Sequence, residues 1–540
     1  MMRMFSQILR IMAASGLVGV ALLLAPGLAQ AARPNIVIIQ TDDQNARTAK
    51  ATFRKYLGGR ALVMPNTVRE IFNAGTEFDN YYATSPTCAP SRASLLTGQY
   101  PQNSGLITNS GLDGGWPGWQ NLPAYEDNLP VALQEAGYRT SHFGKFINGY
   151  WRTGENEIET TVPPGWDNWF TTSFVSNMLH YGYQMNDNGV ARTGFGNPLY
   201  TFDTGVDPKR CTVETLTRQS LARGCQYQAD TLTRAAVREI RRNVEEPLFM
   251  QVDYEGPHGD IRPPVGPQPA TRHYGTTSWT PLERPPNFDE ADMSDKSAVI
   301  QNSAPVRMGF ARYQWLKYYY RRYLASLRAI DDGVGAIVET LRQTGKLDDT
   351  YIFFLSDHGS FLGEHRFDHA KFMPYDGASR VAMAVRGPGV PAGGRSGELV
   401  ANIDIAPTVL QVVGASADWQ MDGRTLRPFW RDPLRRTRRP VGITFVDTAP
   451  EPARGGATVS AAAPKFAYRG FRVGPYKYFR FNVSGQEELY DMERDPWELE
   501  NRINSPEYIQ AKQYMQAFLP VVDSCVGAEC RAPLMQWPEP

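Results

Sequence analysis

Three short segments carry side chains whose types and spacing suit chemistry on an anion. The first is Thr87-Cys88-Ala89-Pro90-Ser91-Arg92-Ala93-Ser94-Leu95-Leu96-Thr97-Gly98. Pro90 suits a first helical position, Ser91 to Leu96 can turn, and Gly98 can end the helix. That reading puts Cys88 just outside a helix N-terminus, where backbone N–H groups and the helix dipole favour an anion. Arg92, on the first turn, adds a fixed positive charge. A nucleophile for an anionic substrate is well placed there, although C-x-P-S-R alone also fits a structural cysteine in a loop.

The second and third segments are acidic. Thr41-Asp42-Asp43-Gln44 follows the apolar run Asn35-Ile36-Val37-Ile38-Ile39-Gln40. Adjacent carboxylates repel unless a cation or hydrogen bonds neutralise them, and two solvated loop acids are the commoner outcome. Ser356-Asp357-His358-Gly359 repeats the arrangement behind Thr350-Tyr351-Ile352-Phe353-Phe354-Leu355. Asp42, Asp43, Asp357 and His358 together compose a single-cation site. Lys145, in Gly144-Lys145-Phe146-Ile147-Asn148, is a candidate for an anion pocket. His258, in a loop after a strand, has the chemistry of an acid, a base or a ligand.

These groups meet only if the strands that carry them end together. The two apolar runs read as buried parallel strands, and open α/β sheets place ligands at such carboxyl ends. Further strands are expected over 78–82, 138–143, 247–252 and 381–385. Helices are expected over 66–74, 127–136 (closed by Gly137), 318–343 and 404–413. Asp331 and Asp332, inside the third of these helices, read as solvated or capping. Residues 150–235 read as irregular and rich in Trp, Tyr, Asn and Gly. From about residue 430 the pattern changes to short strands over 441–445, 468–473 and 476–481. Glu488-Leu489-Tyr490-Asp491 and a terminal helix follow. The expected organisation is a catalytic α/β domain over 32–430 and a smaller antiparallel subdomain over 431–540, joined through the loop 449–465.

Composition narrows the function classes. The 56 basic and 56 acidic residues cancel, which points away from nucleic acid and from a polybasic membrane surface. Arg3 and Arg10 around the short apolar run Ile11 to Leu24, then Ala29-Gln30-Ala31, read as a secretory signal over 1–31. That run is short for a bilayer span of about 20 residues, so no stable membrane insertion is expected. The five cysteines are an odd number for an exported chain. Cys211–Cys225 and Cys525–Cys530 are the economical pairs, which leaves Cys88 over; other pairings stay open.

The full run C-x-P-S-R-A-S-L-L-T-G resembles the signature of the type I sulfatases. The other segments fall in that family's order: Thr41-Asp42-Asp43-Gln44, Gly144-Lys145, Pro257-His258, Ser356-Asp357-His358-Gly359, Arg386-Gly387-Pro388-Gly389, then Leu489-Tyr490-Asp491 with Asp495-Pro496. The opening block, and Gly144 to Asn148 near Val162-Pro163-Pro164-Gly165-Trp166, most resemble glucosamine-6-sulfatases. The resemblance implies an alkaline-phosphatase-like fold: a large mixed sheet between helices with a small C-terminal sheet. It also implies that a formylglycine-generating enzyme oxidises Cys88 to formylglycine, whose hydrate attacks sulfur. Asp42, Asp43, Asp357, His358 and residue 88 would hold one divalent cation, calcium before manganese or magnesium. Arg92, Lys145 and Lys371 would stabilise sulfate charge, Asp357 would take a proton, and His258 would protonate the departing alcohol. The substrate expected is a sulfated carbohydrate or an aryl sulfate, met in the periplasm or outside the cell.

Two positions depart from the family pattern. His358 stands where many sulfatases have Asn; an imidazole is less suited to calcium and better suited to manganese than Asn is, and it also resembles the phosphonate monoester hydrolases. Ile147 stands where many members have the histidine of G-K-x-H, so the base for sulfate release is unassigned, with His142 and His180 as candidates. The alternatives are therefore a phosphonate or phosphate ester hydrolase, and a catalytically silent carbohydrate-binding scaffold.

Overall fold

The computed structural model describes residues 33–538 apart from 57, 112–113, 151–158, 174–178, 196–225, 243–244, 261–265 and 447–466. The proposed signal over 1–31, the Cys211–Cys225 pair and the 449–465 loop lie in the parts outside these residues. The architecture is set by the first strand, β1 (Asn35–Asp42), in which Ile36, Val37, Ile38 and Ile39 are all fully buried. Side chains alternate along a strand, so Val37 and Ile39 face one layer while Ile36 and Ile38 face the other. Each such side chain removed from water contributes about 1.5–3 kcal/mol, which explains the run of β-branched residues at the centre of the sheet.

The remaining strands follow in chain order. β2 (Thr52–Arg54) and β3 (Arg60–Leu62) form a separate hairpin, and β4 (Thr76–Tyr82), β5 (Arg139–Gly144), β6 (Asn168–Ser173), β7 (Tyr183–Asp187), β8 (Val190–Phe195) and β9 (Leu248–Pro257) follow. Then come β10 (Thr350–Ser356), β11 (Arg380–Val381), β12 (Met383–Arg386) and β13 (Gly394–Ala401). All but the hairpin join one mixed sheet in the order β11-β4-β12-β10-β1-β9-β5-β6-β7-β8, with β13 beside β4. Its centre, β10-β1-β9-β5-β6, is parallel, and antiparallel strands flank it.

Helices cover both faces. The helices that matter here are α1 (Cys88–Thr97), α2 (Leu129–Glu135), α3 (Gln228–Arg241), α4 (Phe310–Gln343), α5 (Ile405–Val413) and α6 (Ile509–Ser524). α3 and α4 bury Leu232, Ala236, Leu327 and Val334 against the Val37 face. α1, α2 and α5 bury Ala93, Leu133 and Val409 against the Ile36 face. Asp331 of α4 is a capping residue, accepting the backbone N–H groups of Asn66 at 3.1 Å and Thr67 at 2.7 Å. Asp332 faces outward to Arg272 and His273. A second sheet of β14 (Val441–Phe445), β15 (Tyr468–Val473), β16 (Tyr476–Phe481) and β17 (Glu487–Asp491) is antiparallel throughout. The large mixed sheet between helices and the small C-terminal antiparallel sheet are the expected α/β architecture.

Several local expectations need correction. Residues 150–235 are not irregular throughout, because they contribute β6 to β8 and the start of α3. Polar and aromatic residues mix in those edge strands, which removes the clean apolar alternation that marks a strand. α4 begins at Phe310 rather than near 318; its first turns already set Tyr313, Trp315 and Leu316 against the core, while Phe310 is exposed. Glu488 to Asp491, given no element in the sequence reading, lies in β17.

Buried ion pairs tie the small sheet to the body. Lys477 of β16 reaches Asp376 at 2.8 Å and Glu498 at 2.7 Å, with little solvent access to any of the three. Burial pushes the Asp376 carboxyl up, but Lys477, Arg380 and Arg472 outweigh it and hold the group well below the carboxylate range. A depressed native pKa stabilises the fold above the unfolded value of about 4, and that contribution declines as pH falls below it and is gone once pH has passed through the depressed native pKa. Asp376→Asn is therefore expected to lower the thermal midpoint at pH 7 and to show a shallower further loss between about pH 5 and pH 3 than the parent. Thermal unfolding followed across pH checks both.

Candidate active site

The four parallel strands β10, β1, β9 and β5 lie side by side, so their carboxyl ends open on one edge of the sheet. Asp42 and Asp43 come from the end of β1, Asp357 and His358 from β10, His258 from β9 and Lys145 from β5. This is the edge where open α/β sheets hold ligands. Gly144 allows β5 and β9 to approach there: its φ is +110°, and a Cβ would sit 2.0 Å from the Asp253 carbonyl oxygen. Asp43 also has a positive φ of 64°, unusual for a residue with a side chain.

α1 delivers the cysteine. Thr87 is its extended N-cap and Cys88 its first helical residue, one step inside the expected place. Pro90 occupies the third position, which is also tolerated because the first four N–H groups of a helix lack intrahelical acceptors. Gly98 closes the helix in the left-handed conformation, as expected. All ten residues of α1 are buried.

Cys88 Sγ lies 3.2 Å from His358 Nε2, 3.3 Å from Lys371 Nζ, 3.7 Å from Lys145 Nζ and 4.0 Å from Asp42 Oδ1. Burial and Asp42 push the thiol up, but Lys145, Lys371 and His358 outweigh them and hold it below its ordinary value. Arg92 packs beneath. It donates from Nε to Asp357 Oδ2 at 3.1 Å, from one terminal nitrogen to Asp42 Oδ2 at 3.0 Å and from the other to the Lys145 carbonyl at 2.8 Å. Lys145 also pairs with Asp42, and Lys371 with Asp43 at 3.0 Å.

The electrostatics follow from this packing. Burial alone would push Asp42 up, yet Lys145, His258, Arg92 and Lys371 hold it well below its ordinary value. Asp357 is pushed up by burial and by Asp42. His358 is raised to about 9: burial pulls it down, but Asp357 and Cys88 overcome that. Asp42, Cys88, Asp357 and His358 present ligand atoms all within 4.8 Å of one another, as do Asp42, Asp43 and His258. Hard carboxylate oxygens with one imidazole fit a divalent cation, with manganese favoured by the nitrogen more than in an all-oxygen set.

The nine residues singled out from the sequence therefore converge, although His258 meets the cluster only at its margin. Its Nε2 is 3.6 Å from Asp43 Oδ2, and its Nδ1 donates to the Gly259 carbonyl at 2.8 Å. Burial lowers His258 to about 4, against the pull of Asp43 and Asp42. The two other histidines are occupied elsewhere. His142 bonds Asp253 at 3.0 Å and Thr171 at 2.6 Å and stacks on Trp169, while His180 Nε2 bonds the His258 carbonyl at 2.9 Å.

Two acids escaped the sequence reading. Asp253 lies 3.5 Å from Arg92, and Glu255 is buried with neither oxygen hydrogen-bonded among the described residues. Burial pushes Glu255 well above the carboxylate range. The signal that could have found them is Gln251, Asp253 and Glu255 at alternate positions of a strand buried throughout. Cys525 and Cys530 form a disulfide, while Cys88 is a free, buried thiol.

Comparison with known proteins agrees with this geometry. The Sulfatase family pattern matches residues 34–415, and the pattern described as N-sulphoglucosamine sulphohydrolase, C-terminal, matches 363–523. The chain is 30% identical to the extracellular sulfatase SULF-1 homolog of Drosophila melanogaster over 73% of its own length. It spans only 31% of that relative, and 48% of a Sulf-1 homolog from Caenorhabditis elegans. It is 28% identical to the N-acetylglucosamine-6-sulfatase of Homo sapiens, covering 93% of this chain and 86% of the relative. A solved structure in complex with its substrate D-glucosamine-2-N,6-O-disulfate superposes with a TM-score of 0.67 at 22% identity, over 92% of this chain and 98% of the other. The phosphonate monoester hydrolase of Agrobacterium radiobacter gives 0.63 at 21% identity, over 90% and 95%. The two solved structures share the fold.

Arg92 is the shared counter-charge of Asp42, Asp253 and Asp357. Arg92→Met keeps much of the stem but leaves three buried carboxylates without it, a class of change that costs about 3–5 kcal/mol. Urea unfolding of the metal-free protein at pH 7 is expected to show a loss of that size, recovered in part at low pH as carboxylates protonate.

Proposed function

Because the chain belongs to the sulfatase family, we propose that it hydrolyses sulfate esters of sugars through a formylglycine made from Cys88, assisted by one divalent cation. The observation that carries this reading is the convergence of Lys145, Lys371, His358 and Asp42 on the sulfur of a cysteine at the first position of a helix. A merely structural buried cysteine has no use for two ammonium groups within 3.7 Å.

Asp42, Asp43, Asp357 and His358 would hold the cation, which supplies Lewis-acid polarisation of a sulfate oxygen. A formylglycine at residue 88 would supply, as its hydrate, one hydroxyl for attack on sulfur and a second for release of sulfate, which a plain thiol cannot do. Asp357 would take the proton of the attacking hydroxyl. Arg92 holds Asp42 and Asp357 in place, while Lys145 and Lys371 meet the sulfate oxygens as charge builds on them. His258, at the margin of the pocket, would protonate the departing alcohol, a role that requires a proton on Nε2, whereas burial keeps the imidazole neutral in the free site. The base for sulfate release has no histidine to call on at Ile147.

The substrate class rests on the relatives, several of which act on N-acetylglucosamine 6-sulfate by name. Export to the periplasm or medium, with modification by a formylglycine-generating enzyme, fits the Cys525–Cys530 disulfide. No helix among the described residues is long and apolar enough to cross a membrane. The imidazole of His358 favours one second reading, a phosphonate ester hydrolase.

Mass spectrometry of the tryptic peptide Glu70–Arg92 from the native host is expected to show formylglycine at residue 88, trapped by an aldehyde reagent. Unmodified Cys88 in folded, exported protein would sink the mechanism. Matched aryl sulfate and aryl phosphonate substrates separate the two readings, with the sulfate expected to be preferred. His358, raised to about 9, must shed its proton to ligate a cation, so cation affinity is expected to rise with pH up to about 9. Calorimetric titration with calcium and with manganese at pH 6, 7.5 and 9 measures it, and His358→Asn should flatten the dependence.

A further inference from the structure

The rim of this pocket carries an aromatic shelf that the reaction itself does not use. Trp315 and Tyr319 lie one turn apart on α4, with ring centroids 5.4 Å apart. The imidazole of His369 meets both, at 4.9 Å from Trp315 and 5.6 Å from Tyr319. The three rings form one cluster, inclined to one another by 33°, 62° and 43°. Tyr319 is buried, Trp315 half-buried, and the His369 side chain is 48% exposed.

Its position is fixed against the catalytic loops on both sides. His369 is two residues from Lys371, whose Nζ lies 3.3 Å from Cys88 Sγ. On the other side Tyr319 packs against the loop that follows His258: a Cβ on Gly266 would fall 3.1 Å from its ring, and one on Gly259 would fall 3.7 Å from its hydroxyl. One turn further along α4, Tyr323 donates to the Asp43 carbonyl at 2.9 Å. The shelf therefore bridges the loop of the proposed leaving-group acid and the loop of a sulfate-binding lysine.

The 365–372 loop holds the imidazole outward at a conformational cost. His365, Arg366, His369 and Phe372 all have positive φ, of 48°, 67°, 45° and 80°. Residues with side chains adopt that region rarely. Arg312 of α4 anchors the loop through Asp368 at 2.7 Å, and Asp368 in turn lies 3.8 Å from His369 Nδ1. The His369 ring so placed is half-exposed, and among the described residues it makes no hydrogen bond to the catalytic cluster.

We propose that Trp315 and His369 form a binding subsite for the pyranose ring that bears the scissile sulfate. The C–H face of a pyranose is apolar and matches a rigid aromatic surface that loses little conformational entropy on binding. The half-exposed imidazole offers a ring nitrogen to a sugar hydroxyl. This subsite rests on the sulfatase reading above and specifies its substrate as a sugar held by stacking at the rim.

The test compares N-acetylglucosamine 6-sulfate turnover with inhibition by inorganic sulfate, using the full, formylglycine-bearing, cation-loaded enzyme. Trp315→Leu and His369→Ala are each expected to raise KM for the sulfated sugar by about tenfold with little change in kcat, as loss of an aromatic contact predicts. The inhibition constant for inorganic sulfate, which is too small to reach the shelf, should stay within about twofold. His369→Phe keeps the ring and should retain most of the sugar affinity that His369→Ala loses. Unchanged KM in Trp315→Leu and His369→Ala, in a parent that hydrolyses the sugar sulfate, would overturn the subsite alone. A parent that leaves the sugar sulfate untouched and hydrolyses an aryl phosphonate would overturn the functional reading on which the subsite rests.

Discussion

Buried charge neutralisation around Arg92 is the constraint on which the site depends. Asp42, Asp253 and Asp357 come from three neighbouring parallel strands, and their carboxylates would repel one another in a buried space. One guanidinium lies within 3.5 Å of all three, and its planar fork can serve several acceptors at once. Lys145 and Lys371 complete the balance from the opposite side. A lysine at position 92 could not reproduce this, because it carries a single point of charge.

The same arrangement links stability with chemistry. The groups proposed to bind sulfate and a cation neutralise each other when neither is present. Entry of an anion and a divalent cation would exchange these partners: carboxylates turn to the metal and ammonium groups to the sulfate. The site thus stays compensated in both states, which avoids the cost of an unpaired buried charge. The fully buried α1 supports this by fixing residue 88 and Arg92 on one rigid element. Positions on a helix hold geometry more tightly than positions on a loop.

Much of this was legible in the chain. The apolar runs at 35–40 and 350–355 have the composition of central parallel strands, and the acids behind them could only be useful if both strands ended at one edge. The cysteine-bearing segment carried a family signature, so Cys88 and Arg92 could be named before any coordinates. Lys145 and His258 were marked by their places after strands but took their roles from the resemblance, and Lys371 needed it altogether, because a single lysine in a loop has no periodic pattern to mark it. The edge strands within 168–195 were missed because mixed polar and aromatic residues blur the alternation that a one-sided strand shows.

What the sequence determined by itself was local: residue types, apolar periodicity, helix stops such as Gly98, and the motif order. These depend on neighbours within a few positions, so they survive in a one-dimensional reading. Tertiary structure decided which groups meet. Asp253 and Glu255 became visible as part of the site only because β9 lies between β1 and β5, which brings Asp253 to Arg92 and buries Glu255 two residues further along the strand. His142 and His180 were set aside for a related reason: each is bound to a partner distant in sequence. The shelf of Trp315, Tyr319 and His369 likewise joins α4 to a loop about fifty residues further on, a contact that only the packing of helix against sheet creates.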